Sequence, residues 1–175
     1  NSQKILKKKN KVINFFKLLE KNNFLNNHKF QVVIIKNIPQ QSGLGGGSMN
    51  AASLIDFFIK RKILKLNQNE LTKLTSEIGS DVILGIKPTH SILNFNNKIK
   101  KFYKKINLHT LVVKPDFGCS TKYIYSKVKL FSKPKFTKPK QTMFQAKYLK
   151  NQNNDLEKIA FKKYPKLKKI KSFLL

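Results

Sequence analysis

The chain has 175 residues, 40% of them hydrophobic, enough to bury a core, and its length fits one domain or parts of two. No apolar run nears the roughly 20 residues of a membrane helix, because Phe57-Phe58-Ile59 runs into Lys60-Arg61-Lys62, and the dispersed His28, His90, His109 and single Cys119 exclude an intrachain disulfide and a four-ligand metal site. The formal charge of +29 comes almost wholly from lysine spread along the chain, with Arg61 the only arginine, so it reads as A/T-biased codon usage and disfavours nucleic-acid binding, which favours the guanidinium fork.

Val12, Phe15, Phe16 and Leu19 recur at helical spacing and predict an amphipathic helix from about Asn10 to Lys21. After a turn at Asn26-Asn27-His28, the β-branched run Phe30 to Lys36 suits a strand. Asn37 to Gly47 is then loop. A second helix starts at Ser48 or Asn50, either a good N-cap, and carries Ala51, Leu54, Ile55, Phe58 and Ile59 inward. A third begins at Asn67, with Glu70 placed for a capping box, and stops at Gly79. His90 to Phe95 and His109 to Val113 read as strands, and Ser120 or Thr121 as the cap of a further helix. Two Lys-Pro-Lys repeats exclude helix between Lys127 and Lys140. Asp155 to Tyr164 and Lys166 to Leu175 read as two short helices separated by Pro165. The composition shifts near Asn107, dividing the chain into domains at 1–106 and 107–175.

The glycines at 43, 45, 46 and 47 carry the chemistry, because without Cβ atoms the backbone can take positive φ and approach a ligand closely. A glycine loop that feeds a helix brings free amides and the positive end of the helix dipole to one point, which suits phosphate. A flexible linker is the plainer reading of a glycine run, but the flanking strand pattern and the small Ala51-Ala52 pair argue for a packed turn. There is no G-x-x-x-x-G-K-[ST], and Ser48 stands where a dinucleotide fingerprint needs its last glycine. Some other phosphate loop is required.

Pro39 to Gly45, P-x-x-x-G-L-G, resembles the ATP loop of the GHMP kinases. G-L-G-G-G-S with Asn50-Ala51-Ala52 is similar to that loop in the 4-diphosphocytidyl-2-C-methyl-D-erythritol kinases. Gly79-Ser80-Asp81-Val82, Lys114-Pro115 with Cys119-Ser120-Thr121, and Asn154-Asp155-Leu156-Glu157 resemble further segments of the same family, in the same order. The resemblance implies a two-domain α+β GHMP kinase-like fold, truncated at both termini. It also implies an alcohol-group phosphotransferase of the non-mevalonate isoprenoid pathway, using ATP and Mg²⁺ on the 2-hydroxyl of that small-molecule substrate. Pro39, Gly43, Leu44, Gly45, Gly46, Gly47, Ser48 and Asn50 would hold the nucleotide. Asp81, by itself only a polar residue after a helix end, would be the base; Thr121 would lie near the substrate's diphosphate and Tyr125 against its cytosine. Tyr125 is by itself a helix-face packing residue, Thr121 a candidate cap of that helix, and Asn154-Asp155 a helix cap.

Met49 stands where the family has serine, Ile83 where it has proline, and the family's G-x-G-E element is not recognisable around Asn96 to Lys100. The family's N-terminal lysine strand and second glycine loop would precede Asn1 and follow Leu175, so the piece alone is expected to show little kinase activity. The lone cysteine and the lack of an apolar signal core after the first basic residues point to the cytoplasm. Two rivals stand: a GHMP kinase for mevalonate- or homoserine-like alcohols, and a lysine-rich RNA-binding module whose loop would need basic residues that Leu44-Gly45 lacks.

Overall fold

The computed structural model describes residues 10–25, 28–94, 98–103, 107–134 and 137–174. They form two compact units: one holds the described residues up to Asn37 together with Gly45–Pro88, the other Ile38–Leu44 with the described residues from Thr89 onward.

In the first unit, α1 (Lys11–Lys21) begins where the Asn10 side chain accepts the Val12 amide at 3.0 Å, and buries Val12, Phe15 and Leu19. Helix α2 (Gly46–Lys60) starts at Gly46, earlier than the Ser48 or Asn50 expected, because the Gly45 carbonyl captures the first helical amides. Its inner face, Ala51, Ala52, Ile55 and Phe58, meets α1, where Phe15 stands edge-on to Phe58 with centroids 5.5 Å apart. Burying each of those rings contributes about 2–3 kcal/mol. Helix α3 (Gln68–Ile78) opens on the expected capping box, in which Asn67 accepts from the Glu70 amide and Glu70 accepts from the Asn67 amide. It closes at Gly79 and leads into a 3₁₀ turn, Val82–Gly85. That turn lies against α2, with the fully buried Val82 in the same core.

The run Phe30 to Lys36 is not a strand; the backbone is extended with no ladder partner among the described residues. Val32 and Ile34 are half-buried while Val33 and Ile35 are 80% and 81% exposed. Alternation and β-branching keep the chain extended, but a strand also needs a partner edge.

The second unit contains a hairpin of β1 (His90–Leu93) and β2 (Ile99–Phe102), antiparallel with His90 opposite Phe102 and Leu93 opposite Ile99. The Thr89 hydroxyl donates to the Phe102 carbonyl at 2.6 Å and closes its open end. Strand β2 was not foreseen, because Lys100-Lys101 hid the apolar Ile99 and Phe102. His109 to Val113 is likewise extended with no ladder partner among the described residues rather than a strand, with Leu111 79% exposed. Helix α4 (Thr121–Ser126) is capped by Ser120, and the described part of Lys127 to Lys140 is non-helical, as the prolines require. A 3₁₀ turn (Gln141–Phe144) and α5 (Ala146–Lys150) precede α6 (Glu157–Lys163). Helix α7 (Pro165–Leu174) starts on Pro165 itself, because proline suits the first helical position, where no amide is needed.

The turn expected at Asn26-Asn27, the strand end at Phe95, Asn96, and the last helical residue Leu175 lie outside the described residues. The architecture is α+β, as expected. No helix among the described residues is long and apolar enough to cross a membrane.

Gly85 shows how tightly the 3₁₀ turn meets α2: a Cβ there would stand 2.6 Å from Ala52 Cβ and 2.9 Å from Met49 Sδ. Met49 can swing away, but Ala52 cannot. Gly85→Ala is therefore expected to destabilise the protein by about 1–3 kcal/mol in chemical denaturation. An unchanged midpoint would contradict this packing.

Candidate active site

The glycine run crosses from one unit to the other between Leu44 and Gly45. Gly43 and Gly45 both take left-handed backbone, with φ of 77° and 68°, which costs other residues about 1–2 kcal/mol. A Cβ at either would meet nothing within 4 Å, so the requirement is conformational rather than spatial. Gly46 and Gly47, expected in the loop, are instead the first residues of α2. Ser48 and Met49 donate their amides to the Gly45 carbonyl at 2.8 and 3.0 Å, which turns the chain into the helix. No side chain caps this end, so the Gly46 and Gly47 amides have neither an intrahelical partner nor a capping oxygen. A Cβ at Gly47 would also enter open space, leaving its amide approachable. Such a turn can bind an anion through backbone alone.

Ser48 is 3% exposed, and its hydroxyl accepts from Lys11 Nζ at 2.7 Å. Asn50 is half-buried one turn into the helix. In the same unit, Asp81 sits exposed in the turn between α3 and the 3₁₀ segment at φ −89° and ψ −5°, the ordinary geometry of the third residue of a tight turn. The Val82 amide donates to the Gly79 carbonyl at 3.0 Å across that turn, and the Ser80 hydroxyl donates to Asp81 Oδ1 at 3.1 Å. Val82 and Gly85, packed on α2, fix where the carboxylate starts.

In the second unit, Pro39 and Leu44 are exposed at either end of a bent segment pinned by Gln41. The Gln41 carbonyl accepts the Cys119 amide at 3.0 Å, and a Cβ at Gly118 would lie 2.8 Å from both Gln41 Cβ and Oε1. The chain leading into the glycine run is thereby bound to the residues leading into α4. Thr121, first in α4, and Tyr125 on its last turn are both exposed, the latter at 54%. Tyr164 supports this corner by stacking on Phe117 at 5.5 Å, while its hydroxyl accepts from the Ser120 amide at 3.4 Å. Burial pushes the Cys119 thiol above its ordinary value, away from the reactive thiolate. Asn154 accepts from the Leu156 amide, and Asp155 holds both the amide and hydroxyl of Ser132 at 2.9 Å, a structural bond to the Lys-Pro loop. Gln41, Tyr164 and Lys11 were missed in the sequence, because their partners are remote along the chain. Among the described residues no cluster of three or more His, Cys, Asp and Glu could hold a metal ion.

The family model for the GHMP kinases N terminal domain matches residues 10–90, the span that carries α1, the glycine turn and Asp81. The 4-diphosphocytidyl-2-C-methyl-D-erythritol kinase of Pelagibacter ubique is 59% identical over 171 residues, 98% of this chain and 61% of that protein. The chain is thus similar to the GHMP kinases over residues 10–90 and to this kinase over nearly its whole length. Two other proteins of the same name, from Petrotoga mobilis and Caldanaerobacter subterraneus, are 31% and 30% identical across 83% and 95% of this chain and 59% and 60% of their own. The chain thus spans about three fifths of the length of these curated relatives. No solved structure matches it significantly.

The Gln41 contact can be tested without the reaction. Gly118→Ala should drive Gln41 away and break its bond to Cys119, so that the Cys119 amide exchanges about tenfold faster or more, read by hydrogen exchange. Equal exchange in the two proteins would show that the contact holds nothing.

Proposed function

We propose that the full-length protein is an ATP-dependent kinase that phosphorylates the 2-hydroxyl of 4-diphosphocytidyl-2-C-methyl-D-erythritol, an early alcohol of the non-mevalonate isoprenoid pathway. The observation that carries this is the 59% identity, over 98% of the chain, to a kinase named for that substrate. The site chemistry is compatible. The bare amides of Gly46 and Gly47 at a helix N-terminus suit a triphosphate, and no Cβ obstructs the approach at Gly43, Gly45 or Gly47. Pro39, Gly43 and Leu44 would shape the entry to the loop, Ser48 and Asn50 its exit into α2. Mg²⁺ needs only one or two carboxylates besides the nucleotide's phosphates, so the absence of a larger acidic cluster among the described residues is no obstacle. When bound, MgATP supplies the phosphoryl group and offsets its charge.

The protein's own part is to position and to move one proton. Asp81 would accept the proton of the substrate hydroxyl, and its fixed turn keeps that carboxylate from wandering. Thr121 would bond the substrate's diphosphate, and the exposed face of Tyr125 would stack on cytosine. In this reading residues 1–106 belong to the ATP-binding domain and 107–175 to the C-terminal domain, the enzyme works in the cytoplasm, and the lysine excess serves no nucleic acid.

The test is a panel of alcohols offered to the full-length protein with MgATP. Turnover of 4-diphosphocytidyl-2-C-methyl-D-erythritol, with little on mevalonate or homoserine, is expected; the reverse preference would replace this substrate with another of the superfamily's. Asp81→Asn should lower kcat by about 10²–10⁴-fold while ATP affinity stays within a few-fold. Undiminished turnover would remove Asp81 as the base.

A further inference from the structure

Lys11, the first residue of α1, reaches across 37 positions of sequence to donate to Ser48 in the first turn of α2. Its stem also covers Gly79: a Cβ there would collide with the Lys11 ammonium and come within 3.0 Å of its Cε. Gly79 closes α3, and its carbonyl accepts the Val82 amide, so Asp81 lies within the turn that Gly79 opens. One side chain therefore touches both the helix turn that follows the glycines and the turn that presents the carboxylate.

This is a costly position for a cation. The N-terminal turn of α2 carries the positive end of the helix dipole, and no carboxylate pairs with Lys11 among the described residues. A hydrogen bond to a 3% exposed serine and the cover over a glycine are what hold it there.

We propose that Lys11 is a positioning residue for phosphoryl transfer: its ammonium keeps the first turn of α2 and the Gly79–Val82 turn in register, and so fixes Asp81 relative to the Gly46 and Gly47 amides. The role rests on the kinase reading above. It makes no contact with substrate and is distinct from any direct part in the proton transfer.

The test uses the full-length protein. Lys11→Met keeps the aliphatic stem but removes the donor, and should lower kcat about tenfold or more with KM for ATP changed less than about threefold. Gly79→Ala gives an independent variant: its backbone is extended and accepts any residue, so the protein folds, while the new methyl displaces the ammonium. It should reproduce the fall in kcat. Unchanged kcat in Lys11→Met and in Gly79→Ala, with or without a lower melting temperature, would overturn the proposal and leave Lys11 a packing residue. If the wild-type protein does not phosphorylate the expected alcohol, the kinase reading fails separately. Hydrogen exchange at Val82 and Met49 then decides the bridge, with faster exchange in Lys11→Met supporting it and equal exchange overturning it.

Discussion

The left-handed turn at Gly45 governs the first unit. Because that residue takes φ of 68°, its carbonyl faces forward along the chain and accepts the amides of Ser48 and Met49, and the helix must begin at once. A Cβ-bearing residue would resist that turn, and a Ser or Asn cap further on would start α2 later and fill the space before it. With glycine as the cap, the first amides are bare and the approach to them is open. Small residues then continue the theme inward. Ala51 and Ala52 let α2 lie close enough to Gly85 that no extra methyl fits, and this closeness sets the height of the turn that bears Asp81.

The second unit is organised around a different kind of constraint, a network of modest polar and aromatic contacts. Gln41 bonds to Cys119, Ser120 caps α4 and donates its own amide to Tyr164, and Tyr164 stacks on Phe117. Each is worth about 1 kcal/mol. Together they make the entry to the glycine run and the start of α4 parts of one corner. Lysines at 5.7 and 5.1 Å over the Tyr123 ring, Lys127 and Lys163, add cation–π contacts on the same helix. The surface positive charge is thus partly used in holding the unit together.

What could be read in advance follows from how local each determinant is. The capping box at Asn67 and Glu70 involves neighbours only, and it was legible from the two letters. So were the apolar stripe of α1 and the proline-bounded loop after Lys127. The start of α2 was misread because Ser48 and Asn50 are intrinsically better caps than glycine, while the deciding fact was the sign of φ at Gly45. Phe30 to Lys36 and His109 to Val113 have strand chemistry, but a ladder depends on a partner elsewhere in the chain, which composition cannot supply. β2 was hidden for the converse reason: its pairing with β1 overrides two lysines. The proposed roles of the glycine loop and Asp81 rest on family resemblance, since neither residue pattern names a ligand by itself. Lys11, Gln41 and Tyr164 were not legible, since their partners stand 37, 78 and 44 residues away and no periodicity reports a contact of that kind.

The proposed kinase reading requires the nucleotide's phosphates to bind at the glycine turn at the head of α2. Titrating isotope-labelled full-length protein with MgATP and following backbone amide resonances addresses it directly. Saturable shifts are expected to be largest at Gly46 and Gly47, the amides left free by the Gly45 cap. Shifts confined to the lysines of α6 and α7, fading as salt is raised and leaving the glycines unmoved, would contradict it.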